Sequence, residues 1–189
     1  MRFVPSAHFR TMPWKNGLGT TREVAVGGDP AAFDWRISIA TVGASGPFSA
    51  FPGIDRTIAI LQGQGMVLDV DGTRHDLRAG GAPFSFAGEA KVHAECIAGE
   101  TIDLNAMTRR GAFTHVMERL ASADPFTFTG PPGLTVLVCN GAFELEMDGN
   151  VHHALPLDAV IGIGEGQNMA VRPQGNGELV RITIAALAR

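Results

Sequence analysis

The sequence predicts an all-β fold, and three observations lead to that prediction. The chain of 189 residues contains 24 glycines and 11 prolines, which are spread along it at fairly even spacing and do not collect in a linker. Between them lie short apolar runs that are rich in β-branched residues or alternate with polar ones, as strands do. Helical periodicity is barely visible. Such regular punctuation of short strands is typical of a β-sandwich or β-barrel.

The predicted strands follow one another with turn residues between them. In chain order they are 35–42, 56–63, 65–72, 135–141, 142–149, 158–164 and 178–187. The best helix candidate, 112–121 (AFTHVMERLA), is short and can equally be a strand with a turn. Hydrophobic residues make up 45% of the chain and charged residues 18%. The strands therefore have ample apolar surface from which to form a core.

An internal repeat refines the fold prediction. Residues 57–77 and 134–155 each contain an apolar strand, a glycine break, a second strand that ends in Asp-Gly, and a third strand with histidine. The glycine breaks are Gly63 and Gly141, and the turns are Asp71-Gly72 and Asp148-Gly149. Asp-Gly accepts the positive φ angles of a two-residue hairpin turn. The copies are 77 residues apart at the turn and 78 at the glycine break, which indicates a one-residue bulge in one of them.

Any two hairpins look alike, but here the order of five features matches over about 20 residues, as expected of a duplicated unit. We therefore predict a double-stranded β-helix, or cupin, duplicated into a bicupin. The first barrel would span residues 1–111 and hold the ligand pocket, and the second would span 112–189 and pack closely against it.

The composition indicates which kinds of binding partner are disfavoured and in which cellular compartment the protein is expected. The net charge is −4, which argues against nucleic acid or an anionic membrane surface as the main partner. No apolar run reaches the length of a membrane helix, and the N-terminus lacks the apolar core of a signal peptide. Cys96 and Cys139 lie in apolar, strand-like runs. We interpret them as reduced core residues of a cytoplasmic protein.

Neither a metal nor another cofactor is expected. Metal-binding cupins use a His-x-His pair, and this sequence has none; His152 and His153 are adjacent and would point to opposite faces of a strand. A loosely held ion between His75 and Glu95 is the remaining metal alternative. The Gly-x-Gly at 17–19 lacks the third glycine and helix of a dinucleotide loop, and there is no Gly-x-Ser-x-Gly elbow.

Four polar segments are unusual for plain strands and together predict a small-anion pocket. They contribute Trp14, Lys15, Asn16 and Gly17; Arg36 and Ser38; Asp55 and Arg56; and Asp103, Asn105 and Arg109. Guanidinium groups bind carboxylates bidentately, lysine adds a point charge, and amides fix orientation. Each segment also has a structural explanation: Asp55 and Arg56 as a buried ion pair, Asp103 and Asn105 as turn or cap residues, Trp14 as a plug of the barrel end.

The same segments resemble a known family. PWKNGLGTTRE, FDWRISIA, GPFSAFPGIDRT and DLNAMTRRG, in that order, resemble the HutD (histidine-utilisation protein D), or Ves, family over essentially the whole chain. One departure is Leu18, which interrupts a run of three glycines common in the family. The resemblance implies a bicupin and a cytoplasmic bacterial protein linked to histidine degradation, without established catalysis or a catalytic metal. It also implies binding of a small acid such as urocanate or N-formylglutamate.

If the chain forms such a pocket, we expect residues 12–22 to form one lip of it. Trp14 is expected to be wall, Lys15 and Asn16 ligand contacts, and Gly17 and Gly19 the bends that bring them in.

Three functions remain open from the sequence. The first is a metal-free protein that binds a small carboxylate and modulates histidine utilisation. The second is a metal-independent isomerase or hydrolase with Asp55 or Asp103 as general base, although a neighbouring arginine lowers a carboxylate's pKa and weighs against Asp55. The third is a partner-binding module, with a possible homodimer through the apolar C-terminal strand 178–187.

Overall fold

The computed structural model describes residues 1–14, 17–29 and 32–188. Within these ranges the chain forms nineteen strands and one 3₁₀ turn at Ser6–His8, and no α-helix. No helix in the described ranges has the length and apolar character needed to cross a membrane. The candidate helix at 112–121 is a strand, which settles the alternative that the sequence left open.

The strands are numbered in chain order. They are β1 Arg2–Val4, β2 Arg10–Pro13, β3 Gly19–Asp29, β4 Ala32–Val42, β5 Gly46–Pro47, β6 Ile54–Gln62, β7 Met66–Val70, β8 Thr73–Leu77, β9 Phe84–Ala87, β10 Val92–Cys96, β11 Thr101–Arg109, β12 Phe113–Ala121, β13 Phe126–Thr129, β14 Leu134–Asn140, β15 Phe143–Met147, β16 Asn150–Ala154, β17 Ala159–Ile163, β18 Asn168–Pro173 and β19 Glu178–Ala186.

The chain divides into two compact units. The N-terminal unit comprises residues 10–114 together with Leu187 and Ala188, and the C-terminal unit comprises Met1–Phe9 and His115–Ala186. The first nine residues thus belong with the second half of the chain, whereas the predicted division assigns them to the first barrel. The reason is strand pairing, since β1 runs antiparallel to β17.

The N-terminal unit contains two antiparallel sheets. One has six strands in the order β2-β3-β4-β11-β6-β9, and the other has four in the order β5-β10-β7-β8. Their apolar side chains form one core of Ala40, Val42, Ile58, Ile60, Met66, Leu68, Leu77, Val92 and Ala94. This core fills only part of the inner face of the six-stranded sheet, because polar residues replace apolar ones toward one end of its strands.

The C-terminal unit also contains two sheets. Their orders are β1-β17-β14-β19-β12 and β13-β18-β15-β16. The core is apolar and includes Leu137, Cys139, Leu145, Val160 and Leu179. Because β19 lies between β14 and β12, both of its edges are paired within this unit.

The predicted duplication is visible in the strand pairing. The order β4-β11-β6-β9 in one unit matches β12-β19-β14-β17 in the other, and β5-β10-β7-β8 matches β13-β18-β15-β16. Both predicted hairpin turns have positive φ at their two central residues: 50° at Asp71 and 87° at Gly72, 51° at Asp148 and 76° at Gly149. The one-residue difference in spacing lies in the loop after the first strand of each copy, which has three residues between β6 and β7 and two between β14 and β15. The predicted bulge is therefore wrong; the register shift in β14 between Thr135 and Val136 lies before the glycine break.

Candidate functional site

A cavity of about 650 Å³ lies within the N-terminal unit. Strands β2, β3, β4, β6 and β11 and the segment from Pro47 to Phe51 supply its walls. The lining residues are Met12, Pro13, Trp14, Thr21, Arg36, Ser38, Ala40, Pro47, Phe48, Ser49, Phe51, Arg56, Asp103, Asn105 and Met107. A cavity of this size is in the usual range for small-molecule sites.

The register of the three central strands explains how the polar residues meet. Rows of paired residues run across β4, β11 and β6: Arg36–Met107–Arg56, Ser38–Asn105–Ile58 and Ala40–Asp103–Ile60. Successive side chains of a strand alternate between faces, so residues two apart share a face. The rows therefore place five polar residues from distant parts of the chain on one inner surface, next to the apolar core at Ile58 and Ile60.

Arg56 is a cation held among aromatic rings. Only 5% of the residue is exposed, and its guanidinium carbon lies 5.5 Å from the ring centre of Phe48, 5.4 Å from that of Phe51 and 4.9 Å from that of Phe86. Nη1 donates to the Ser49 carbonyl over 3.2 Å. Nε is buried and has no hydrogen-bond partner among the described residues. Burial lowers the pKa of Arg56 to about 10, and the Asp103 carboxylate opposes this effect.

Asp103 and Asn105 supply buried acceptors. They are 1% and 5% exposed, and in each side chain Oδ1 has no hydrogen-bond partner within the described ranges. Burial raises the pKa of Asp103 to about 7, while the positive charge of Arg56 works in the opposite direction. An unpaired buried acceptor costs about 1–3 kcal/mol, so a folded protein retains one mainly where a water or ligand pairs with it.

Arg36 faces the cavity with a carboxylate beside it. Its Nε lies 3.1 Å from Glu23 Oε2, and the two side chains are 17% and 18% exposed. The N–H of Nε is not directed along that line, so the contact is an ion pair without a hydrogen bond from this atom. The pair orients Arg36 and leaves its guanidinium available to a ligand.

Trp14 forms part of the wall, as the sequence predicts. Its Nε1 donates to Thr21 Oγ1 over 2.8 Å, which fixes the indole against β3. Gly19 approaches the ring so closely that an added Cβ would lie 3.1 Å from it. Gly17 has a φ of 71° and lines a separate depression of about 290 Å³, not the cavity. Lys15 and Asn16 lie outside the described residues.

Two further predicted site residues, besides Gly17, do not line the cavity. Asp55 precedes Arg56 on the same strand and so points to the opposite face, where it accepts a hydrogen bond from Arg110 Nε over 2.7 Å. Arg109 ends β11 with a 53% exposed side chain and pairs with Asp34 over 2.6 Å. The suggested ion pair between Asp55 and Arg56 is therefore wrong, and Asp103 is the carboxylate that faces the cavity.

The aromatic surroundings of Arg56 were not predicted from the sequence. Phe48 and Phe51 lie in the loop GPFSAFPGIDR, in which only the charged residues Asp55 and Arg56 were predicted to belong to the site. The two phenylalanines in so short a loop are the sequence signal that could have indicated an aromatic wall. Their convergence with Phe86 on one guanidinium depends on pairing of β6 with β9, in which Arg56 lies opposite Phe86.

The histidines do not assemble a metal site. Among residues 1–14, 17–29 and 32–188, no group of three or more His, Cys, Asp and Glu side chains has the arrangement needed to hold an ion. His75 lies opposite Leu68, whereas Glu95 lies opposite the adjacent Val67. His75 and Glu95 therefore face opposite sides of the sheet, and Glu95 is held by Arg74 over 2.7 Å.

Comparison with known proteins gives consistent matches to one family. A sequence model of the family HutD matches residues 6–180. The protein Ves of Citrobacter koseri is 40% identical over 146 residues, covering 72% of this chain and 73% of Ves.

Two solved structures match nearly the entire chain. A conserved protein of unknown function from Pseudomonas aeruginosa PAO1 has a TM-score of 0.86 at 29% identity, with 97% of both chains covered. HutD from Pseudomonas fluorescens SBW25 has a TM-score of 0.82 at 27% identity, with 99% of both chains covered.

The fold class is that of the cupins. A cupin 2 conserved barrel domain protein from Leptotrichia buccalis has a TM-score of 0.59 at 9% identity, and the match covers 87% of this chain and 88% of that protein. At this identity the likeness concerns the fold alone. Together with the repeated strand order, it confirms the predicted all-β fold and is consistent with a bicupin.

Proposed function

This chain belongs to the HutD family, and we propose that it is a cytoplasmic, metal-free binding protein for a small carboxylate of the urocanate or N-formylglutamate type that modulates histidine utilisation. The observation that carries the proposal is Arg56. This arginine is almost completely buried, lines a cavity and has a guanidinium Nε with no partner among the described residues.

A carboxylate is the group that best satisfies such an arginine. Its two oxygens match the planar N–H fork of a guanidinium, and the bond strengthens where water is excluded. The rings of Phe48 and Phe51 exclude water on one side of the cavity, and Trp14 provides apolar surface on another. Arg36 offers a second guanidinium to the same ligand.

The regulatory part of the proposal rests on family membership and on the form of the site. A protein that binds a pathway acid without converting it reports the concentration of that acid. Such a protein can limit flux when the bound state differs from the free state in what it contacts.

One observation favours a second candidate, a metal-independent isomerase or hydrolase that acts on the same acid. Asp103 is a buried carboxyl in the cavity whose pKa is raised to about 7, near the value that suits a general base at neutral pH. Asp55 is no longer a candidate base, because its side chain is 49% exposed and bound to Arg110.

Titration calorimetry with urocanate and N-formylglutamate, with product assayed in the same tubes, separates the candidates. Saturable binding at about micromolar affinity without turnover supports the binding protein. Turnover that disappears in Asp103→Asn and persists in Asp55→Asn supports the enzyme. If neither acid binds, the ligand class is wrong, and a search for partner proteins becomes the next step.

A further inference from the structure

The cavity offers a ligand both donors and acceptors. Four buried side-chain atoms that lack hydrogen-bond partners within the described ranges belong to residues lining it: Arg36 Nε, Arg56 Nε, Asp103 Oδ1 and Asn105 Oδ1. The Arg56 nitrogen carries an N–H group that requires an acceptor, whereas the Arg36 nitrogen already has the Glu23 carboxylate 3.1 Å away. The two oxygens require a donor. A simple carboxylate supplies only acceptors and would leave both oxygens unpaired.

The donors and acceptors occupy different places along the strands. Asp103 and Asn105 are successive inward residues of β11, whereas Arg36 and Arg56 flank Met107, the next inward residue of that strand. Inward positions are spaced by about 7 Å along a strand. Asn105 is one such step and Asp103 two steps from the row of the arginines, and the side chains close part of the longer distance, since Arg56 and Asp103 affect each other's pKa. A ligand that reaches from the guanidinium groups to these acceptors can thus have the length of a small planar acid.

We infer that the natural ligand of this cavity carries an N–H donor in addition to its carboxylate, with the carboxylate held by Arg56 and Arg36 and the N–H received by Asp103 and Asn105. The ligand class is an N–H-bearing carboxylate, either a heteroaromatic acid or an N-acyl amino acid. This inference rests on the proposed function and adds the group that determines specificity.

Charge supports the same assignment. Among the described residues, the charged ones that line the cavity are Arg36, Arg56 and Asp103, and Glu23 forms an ion pair with Arg36. With Asp103 ionised, the charges of these four described residues cancel. An anion without a donor would add a negative charge beside the Asp103 carboxylate and leave Oδ1 unpaired. A ligand N–H directed at Asp103 instead forms a charge-assisted hydrogen bond, which is about twice as strong as a neutral one.

The test compares ligands of similar shape, one with an N–H donor and one without it. Urocanate is paired with trans-cinnamate, in which a phenyl ring replaces the imidazole. N-formylglutamate is paired with its ester analogue, in which oxygen replaces the N–H. Dissociation constants are measured by calorimetry on the full chain. For any N–H acid that binds, we expect an affinity at least about tenfold higher than that of its matched analogue. The reason is that the analogue has no N–H and leaves a buried acceptor of the cavity unpaired.

Variants assign the effect to Asp103. In Asp103→Ala the gap between the members of a pair should shrink to about threefold or less. In the matched control Asp55→Ala, which removes a carboxylate from outside the cavity, the gap should stay unchanged. Thermal melting confirms that each variant is folded. If Asp103→Ala does not fold, Asn105→Ala replaces it, and the comparison of ligands on the wild-type protein still decides whether a donor is required.

The possible outcomes distinguish failure of the proposed function, carboxylate binding, from failure of the further inference, the requirement for an N–H donor. If no member of either pair binds, the proposed function fails and this inference fails with it. If the members of each pair bind equally well, carboxylate binding stands and the requirement for an N–H donor is wrong. If the donor matters in the wild type but the gap persists in folded variants of both Asp103 and Asn105, the assignment of the acceptors is wrong.

Discussion

Asp55 and Arg56 are consecutive in the chain, yet only one of them belongs to the cavity. Arg56 is 5% exposed and stacks against Phe48, Phe51 and Phe86, whereas the Asp55 side chain is 49% exposed and binds Arg110. The strand geometry that separates them also provides an internal control. Two neighbouring residues can be changed, and only one of the changes should affect ligand binding.

Replacement of Arg56 should abolish high-affinity binding. Arg56→Lys keeps a positive charge but loses the planar fork, so we expect affinity for the carboxylate ligand to fall at least about tenfold. Arg56→Met should lower it further, while its apolar chain preserves contact with the three phenylalanine rings. Titration calorimetry measures both effects, and circular dichroism checks the fold.

The control for this series is Asp55→Asn, which should bind within about twofold of wild type. An equal loss of affinity in Asp55→Asn and Arg56→Lys would mean that the loop conformation, and not the Arg56 guanidinium, governs binding.

Asp103→Asn should change how stability depends on pH. Burial raises the Asp103 pKa from 3.8 to about 7 in the folded state. Between these values the folded protein keeps a proton that the unfolded chain releases, so wild-type stability falls as pH rises from about 4 to 7. Asparagine imitates the neutral carboxyl and removes this loss. The variant should exceed wild type by about 1.5 kcal/mol at pH 5 and by about 4 kcal/mol at pH 8.

Urea unfolding at pH 5 and pH 8 provides the measurement, with Asp55→Asn as the matched exposed control. Parallel loss of stability in wild type and Asp103→Asn between the two pH values would show that the Asp103 carboxyl is ionised across that range and that its burial does not control the pKa.

Ligand binding should change the fluorescence of Trp14 and not that of Trp35. The chain has two tryptophans. Trp14 lines the cavity, whereas Trp35 packs over Gly27, where an added Cβ would lie 2.2 Å from its Nε1. The change in emission on titration with ligand should therefore persist in Trp35→Phe and disappear in Trp14→Phe.

Calorimetry on the same two variants separates loss of signal from loss of binding. A fluorescence change that survives in Trp14→Phe would place the ligand away from Trp14.

Arg110 should contribute to stability in a pH-dependent way without affecting binding. Its guanidinium donates to Asp55 over 2.7 Å and to Glu89 over 2.6 Å, and the bond to Glu89 lowers the pKa of that carboxyl to about 2. A carboxylate whose pKa is lowered on folding stabilises the folded state at every pH above its ordinary pKa near 4.5. This stabilisation is lost as the pH falls from about 4.5 toward 2.

We therefore expect Arg110→Ala to melt at a slightly lower temperature than wild type at pH 6 and at the same temperature near pH 2. The difference should be small and should shrink in high salt, because the network is exposed. A loss of ligand affinity in Arg110→Ala would show that this outer network positions Arg56.

Local sequence signals were sufficient for the strands and the duplication. The two Asp-Gly turns were predictable because the dipeptide accepts positive φ whatever surrounds it. The shared faces of Arg36 with Ser38, and of Asp103 with Asn105, were predictable because strand side chains alternate with a period of two. These four residues line one cavity, whereas Gly17, Asp55 and Arg109, predicted from the same polar segments, do not.

What the sequence by itself determined was therefore the all-β character, the repeat and the pairs of residues that share a strand face. Tertiary structure alone decided that β4, β11 and β6 are neighbours, which brings Arg36, Asn105 and Arg56 together from distant parts of the chain. It also decided that Arg56 faces inward and Asp55 outward. Strand geometry requires that the side chains of consecutive residues point to opposite faces of the sheet. Which of the two faces is buried depends on long-range packing, and this decides which side chain points inward.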